Sequence, residues 1–380
     1  MKTLRFTAVV VLALLACGSA AAQTPEPTSA EKMKSVVWPG CISIFDGKSN
    51  YAADEPYMVA VKAAGFKAVG CGEGDLDVCT KHGLKAYLYI WPHEAGTMPA
   101  KYKDNNTILC YFIGTEKSPD EWGAWADREA LAWQGDPRHP ALFTMYALRG
   151  SMEQFPKIVR GRALEFYQYP WDAHRQPFNQ YAILEQLRQT AAANGNMPIC
   201  MIAETRPLDK RMVRHSINTG LVYGVRAFRT GGYGLFKKDR DATGALVCSI
   251  HGDEAVRFNQ AINSFSPTFE TATCVEVFHT APLPPGTKEV PADHWVQLSG
   301  ADIIMGEFTD PAKNNFLVLT NRDAFAPHTA TLTFNDNVTV KRKNKVTTAW
   351  DPVPSTKVGT QTVVAIPLED GGVELLQISL

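Results

Sequence analysis

Between residues 36 and about 265 the chain alternates short apolar runs with longer stretches patterned for amphipathic helices. The short runs are 37–45, 66–71, 84–90, 107–113, 141–146, 162–169, 197–203 and 224–229, and each has the length of a strand. Helices are predicted over 55–64 and 75–82, stopped by Gly65 and Gly83, and over 178–194 and 208–223, ending at Gly195 and Gly224. Ser118-Pro119-Asp120-Glu121 opens another helix, with a capping residue and Pro at its first position. A last helix covers 252–264, and the gap 94–106 is only weakly helical. Eight strand-then-helix units in about 230 residues predict a (β/α)8 barrel over 35–268. A doubly wound open sheet is the competing arrangement, and it would display a Gly-rich phosphate turn or a switch point that this sequence lacks.

From about residue 270 the pattern changes. The runs 273–279, 294–299, 302–308, 315–321, 329–334, 345–350, 361–366 and 373–379 are short and β-rich, with Pro, Gly, Asn and Asp between them. They predict a small all-β domain, a β-sandwich over 269–380, with the proline-rich 281–292 as a loop.

The first residues belong to neither domain. Lys2 and Arg5, the apolar run 6–16 and the small residues 19–22 make a signal peptide over 1–22, cut after Ala22. An alternative is a lipoprotein signal, with a lipid anchor at Cys17 after Leu14-Leu15-Ala16. Residues 23–34 are a polar leader with nothing to bury, left outside the fold. These features predict a periplasmic or secreted, cell-surface protein.

Composition narrows the partners. The net charge is −1 and no basic stripe occurs, which argues against nucleic acid. After the signal no apolar run has the length of a transmembrane segment. The 8 Trp and 12 Tyr suit a carbohydrate cleft and an ordinary core equally. Seven of the eight Cys lie beyond the signal; their spacing forms no disulfide framework, so buried free thiols are expected, with one disulfide left open.

A barrel interior is filled with side chains, so chemistry belongs where strands end. Those ends offer Asp46, Glu73, Trp91 and His93, then Gly114-Thr115-Glu116 after strand 4 and Tyr146 after strand 5. Strand 6 supplies Tyr167, Tyr169 and Asp172, strand 7 leads to Glu204-Thr205-Arg206, and strand 8 carries Arg229. Strands 4 and 7 lie across the mouth from each other, so Glu116 and Glu204 can converge. Two carboxyl groups are what glycosidic cleavage requires, one as acid and one to attack or to activate water. Mutual repulsion and partial burial would keep one of them protonated.

The layout resembles the retaining glycoside hydrolases of clan A. The stretch 110–122, Cys-Tyr-Phe-Ile-Gly-Thr-Glu-Lys-Ser-Pro-Asp-Glu-Trp, is similar to a strand of poorly characterised polysaccharide-utilisation barrels, as are 218–225, 306–310 and 316–322. This resemblance spans nearly all of the mature chain, and it implies Glu116 as acid/base, Glu204 as nucleophile and net retention. Thr115 departs from the Asn or Asp that the resemblance would place there, and Lys117 from Pro; a cation beside Glu116 favours its ionised form.

The remaining candidates each have a plain structural alternative. Trp91 and Trp171 are stacking platforms for a sugar or core plugs. His93, Tyr146, Tyr167, Tyr169 and Asp172 offer groups for hydroxyl recognition. Glu165 either points inward as a structural carboxylate or reaches the cleft. Arg229 either reads an acidic or sulfated sugar or belongs to a salt bridge at the barrel bottom. The nine His show no metal-ligand spacing, and neither a Gly-x-Ser-x-Gly elbow nor a P-loop is present. No cofactor is expected. The sequence thus predicts an exported glycosidase acting on a poly- or oligosaccharide, with a non-catalytic glycan-binding barrel as the alternative.

Overall fold

The computed structural model describes residues 28–46, 55–145, 164–168, 180–203, 209–231, 236–240, 242, 246–248 and 252–379. Eight parallel strands close into a barrel in chain order. They are β1 (Ile42–Asp46), β2 (Ala68–Cys71), β3 (Lys85–Tyr89), β4 (Ile108–Lys117), β5 (Ala141–Met145), β6 (Leu164–Gln168), β7 (Ile199–Ala203) and β8 (Ala227–Gly231). β8 pairs with β1 over Ile42–Asp46, which completes the circle. The helices between them are α2 (Glu55–Ala63), α3 (Leu76–His82), α4 (Met98–Tyr102), α5 (Trp122–Gly135), α6 (Gln180–Ala193), α7 (Lys210–Val222) and α8 (Gly252–Phe269), preceded by α1 (Ser29–Met33).

Alternation along the strands divides the barrel's apolar residues into two sets. Ile42, Ile44, Ala68, Tyr87, Cys110, Phe112, Leu142, Cys200 and Ala227 pack together in the barrel interior. Their neighbours in sequence, among them Phe45, Val69, Leu88, Tyr111, Met201 and Phe228, face the helices. Burial on both faces is why these strands read as unbroken apolar runs.

Three local expectations are corrected. Residues 23–34 are not all idle, because Thr28 and Glu31 form a reciprocal capping box that starts α1. α1 then covers the amino-terminal end of the barrel. Lys32 is buried with its ammonium 5.4 Å from the Trp133 ring centroid, and Ser35 Oγ donates to the Pro137 carbonyl at 2.6 Å. Gly195 has φ +80°, and a Cβ there would lie 2.8 Å from Ala30 Cα, so this helix stop is also a docking surface for α1.

The helix expected at Ser118 begins instead at Trp122. Glu121 Oε2 accepts from Ser118 N and Oγ, and the Trp122 indole donates to the Lys117 carbonyl at 2.8 Å, so residues 118–121 form a turn.

The strand expected over 345–350 is a turn as well. Asn344 Oδ1 accepts from Val346 N and Thr347 N, capturing the amides a strand would need. The strands lie on either side, at Thr339–Lys343 and Trp350–Pro352.

A hairpin, β9 (Phe236–Arg240) with β10 (Leu246–Cys248), follows β8 and has no counterpart in the sequence reading. The carboxyl-terminal strands are β11 (Thr273–His279), β12 (Val296–Ser299), β13 (Ile303–Thr309), β14 (Asn315–Asn321), β15 (His328–Phe334), β16 (Thr339–Lys343), β17 (Trp350–Pro352), β18 (Thr356–Val358), β19 (Gln361–Leu368) and β20 (Val373–Ser379). They form a six-stranded sheet, β11-β13-β14-β20-β16-β17, and a four-stranded sheet, β12-β15-β19-β18.

The six-stranded sheet is apolar on both faces. Leu317 and Leu319 enter the core between the two sheets, while Phe316 and Val318 join the core that surrounds the barrel. Val373 and Leu375 against Leu376 and Ile378 repeat the division on β20. The sandwich therefore shares its core with the barrel helices. Polar contacts edge this seam: Asn218 Nδ2 donates to the Gly371 carbonyl at 2.7 Å, and Arg214 pairs with Asp370 at 3.0 Å.

Candidate active site at the carboxyl end of the barrel

At the carboxyl end of the strands the barrel interior turns from apolar to ionic. Arg229 lies at its centre, with Nε donating to Asp46 Oδ2 at 2.9 Å and Nη2 2.9 Å from the same oxygen. Nη1 donates to Tyr87 OH at 3.0 Å and to Glu165 Oε2 at 3.2 Å. Glu165 also accepts from Tyr87 OH at 2.7 Å, Thr144 Oγ1 at 2.6 Å and Cys200 Sγ at 3.3 Å. Tyr89 OH donates to Asp46 Oδ1. The guanidinium carbon sits 4.6 Å from the Phe112 ring centroid, adding a cation–π contact.

Strand alternation assembles this group. Tyr87 and Tyr89 are two apart on β3, and Asp46, Thr144, Glu165, Cys200 and Arg229 come from β1, β5, β6, β7 and β8. Burial pushes the Tyr87 and Tyr89 phenols above their ordinary values, so both are hydrogen-bond donors at any working pH. Burial opposes the charge on Arg229, but Tyr87, Glu165 and Asp46 around it outweigh that cost and hold it protonated.

Above this floor stands the rim. Trp91 follows β3 and is 69% exposed, its backbone fixed by donation from N to Glu94 Oε2 at 2.8 Å. His93, two residues on, is exposed too. β4 runs further than expected, to Lys117, by way of register shifts on either side of Gly114. Glu116 is therefore within the strand rather than after it. A side chain at Gly114 would collide with Trp125, its Cβ 2.5 Å from the ring, so glycine lets α5 pack against the end of β4. Lys117 turns to that same indole, with Nζ 4.3 Å from the Trp125 centroid and 4.0 Å from Glu121. Glu73, after β2, is held by Lys101 and Tyr102 and lies apart from the floor.

No family model and no curated protein sequence matches the chain. Solved structures do. A β-galactosidase from Bacillus circulans sp. alkalophilus superposes with a TM-score of 0.57 at 8% identity, covering 90% of this chain and 99% of the other. A glycoside hydrolase family 5 protein from Bacteroides vulgatus gives 0.54 at 12% identity, covering 89% and 88%. A cycloisomaltooligosaccharide glucanotransferase from Paenibacillus gives 0.56 at 6% identity, covering 89% and 85%. The fold is the one these proteins share, a barrel followed by β-sheets. At such identities the likeness is one of fold alone.

Within this fold the sequence candidates fare differently. Trp91 and His93 stand exposed on the rim. Glu116 and Tyr167 lie in the backbone of β4 and β6. Glu204, Tyr146, Tyr169, Trp171 and Asp172 fall outside the described residues; β7 ends at Ala203, immediately before Glu204 in sequence. Arg229 has all three guanidinium nitrogens engaged with Asp46, Tyr87 and Glu165 inside the barrel, toward its carboxyl end and not at its bottom. Glu165 likewise points inward. Tyr87, Tyr89 and Thr144 were not singled out, although their spacing from the barrel's inward positions is the signal that finds them. Among the described residues no group of three or more His, Cys, Asp or Glu side chains is placed to hold a metal ion.

Proposed function

We propose that the protein is an exported glycoside hydrolase that cleaves an O-glycosidic bond in a poly- or oligosaccharide with retention, using Glu116 as acid/base and Glu204 as nucleophile. One observation carries the reading: β4, which includes Glu116, and β7, whose last described residue Ala203 precedes Glu204 in sequence, lead to the same rim of a closed barrel. The fold supports it, since the glycoside-hydrolase neighbours span the barrel and the β-sandwich together. Trp91 adds an exposed indole on that rim, suited to the apolar C–H face of a pyranose.

In the proposed reaction the protonated carboxyl of Glu116 gives its proton to the leaving oxygen while the Glu204 carboxylate attacks the anomeric carbon. Glu116, now ionised, then takes a proton from the water that releases the glycosyl-enzyme. The Arg229 network stiffens the strands beneath, which a two-carboxylate mechanism needs to keep its spacing. Export follows from the signal over 1–22, with the lipid anchor at Cys17 as the alternative.

Trapping with a 2-fluoro glycoside tests the mechanism, and the expected result is a covalent adduct on Glu204. Product profiling on a panel of glycans, with Glu116→Ala and Glu204→Ala beside the wild type, should show turnover lost in both variants. Glycan binding without turnover by the wild type would instead establish the non-catalytic alternative, which the Thr115 departure favours.

A further inference from the structure

The β2–α3 connection holds two thiols for which carbohydrate chemistry has no use. Cys71 ends β2 and Cys79 lies within α3; both are fully buried, and their sulfurs are 3.7 Å apart. Other cysteines have different partners. Cys41 and Cys274 donate to the Val225 and Val222 carbonyls, and Cys200 donates to Glu165. We propose that Cys71 and Cys79 are a disulfide-forming pair, which oxidation closes to staple β2 to α3 at the barrel rim.

A disulfide needs its sulfurs about 2.05 Å apart, so they must approach by about 1.6 Å. α3 is only seven residues long and lies between Gly72 and Gly83, the latter with φ +65°, so rotation about both Cα–Cβ bonds and a small slide of this helix can close the gap.

The oxidant is a disulfide, either a small molecule or an oxidised dithiol protein of an export compartment. One protein thiolate attacks it, forming a mixed disulfide and expelling a thiolate. The second protein thiolate then attacks the mixed disulfide and expels the other half of the reagent. The S–S bond gained by the protein is the one lost by the oxidant; two electrons pass to the reagent, and two protons leave the protein thiols. The closed ring contains Gly72-Glu73-Gly74-Asp75, so it restrains the segment whose Glu73 contacts Lys101 and Tyr102 of α4.

Lys67 and Lys81 flank the pair, which places both cysteines in the tryptic peptide 68–81. The full chain is treated with oxidised glutathione, denatured, alkylated and digested. Peptide 68–81 should be two hydrogens lighter and free of alkyl groups. Alkylation of both cysteines, retained glutathione, or a link from either to another cysteine would overturn the proposal. A second measurement does not depend on digestion. Reductant should lower the unfolding midpoint of the oxidised wild type by roughly 5 °C and leave that of the double variant Cys71→Ser/Cys79→Ser unmoved. An unchanged wild-type midpoint, or equal shifts in both proteins, would refute the staple. Neither measurement involves glycan turnover, so the fate of this pair is separable from that of the proposed activity.

Discussion

Two arginines in this molecule each gather several carboxylates, yet they sit in different physical settings. Arg229 holds Asp46 and Glu165 inside the barrel, under aromatic rings, with Glu165 wholly buried. Arg214 holds Glu254, Glu369 and Asp370 at the seam between barrel and sandwich, where Glu369 is 70% exposed. Arg214 and Glu254 are themselves buried, but water reaches Glu369 and Asp370 and can replace what those two lose, whereas it cannot reach Glu165. The outer carboxylates at the seam therefore add only incidental attraction, whereas Glu165 depends on its cation.

The sharpest way to break the comparison is Arg229→Met. It strands Glu165 without its cation, and the expected cost is about 3–5 kcal/mol in denaturant unfolding. Adding Glu165→Gln should recover part of that loss; a double variant no better than the single one would mean that packing, not charge, is what Arg229 supplies.

Acid should strike the seam next. His215 on α7 and His279 on β11 are both buried there, and burial lowers their pKa to about 4 and about 3. Unfolded histidines take up protons near pH 6.5, so this contribution to stability is complete above that pH and lost as the pH falls toward the folded values. Each residue should cost up to about 1.4 kcal/mol per pH unit over that range. Urea midpoints measured from pH 7 to 5 for His279→Gln against wild type would reveal a shallower slope in the variant, and parallel slopes would contradict the assignment.

Trp91→Ala should leave unfolding within about 0.5 kcal/mol of wild type, because the indole is exposed. On a glycan that the wild type binds, the loss of stacking should weaken affinity by about 0.5–1.5 kcal/mol, read by calorimetry. The smallest effect belongs to Glu369→Gln, expected at under about 1 kcal/mol and diminished further by salt. A larger value would erase the distinction between the two arginines.

The barrel was legible because its strands and helix stops obey local rules. Gly65, Gly83, Gly195 and Gly224 all have positive φ and all close helices where the pattern put them. What escaped was decided by tertiary partners. α1 is too short to announce itself, and it exists because the barrel foot receives Lys32. β16 carries Thr339, Lys341 and Lys343 among its five residues, and it pairs between β17 and β20 despite that polar pattern. The β4 extension that takes in Glu116 depends on register shifts around Gly114, which no periodicity displays. Arg229 was visible as a strand-8 charge, but its commitment to Asp46 and Glu165 required knowing which positions share the inner face.

The position of α1 bears on how the protein would present itself if Cys17 carried a lipid. Only residues 18–27 would separate the acylated cysteine from the Thr28 cap, and ten residues reach at most about 35 Å however they run. That leash starts at the foot, so the bilayer would lie beneath the barrel and the open mouth would look outward.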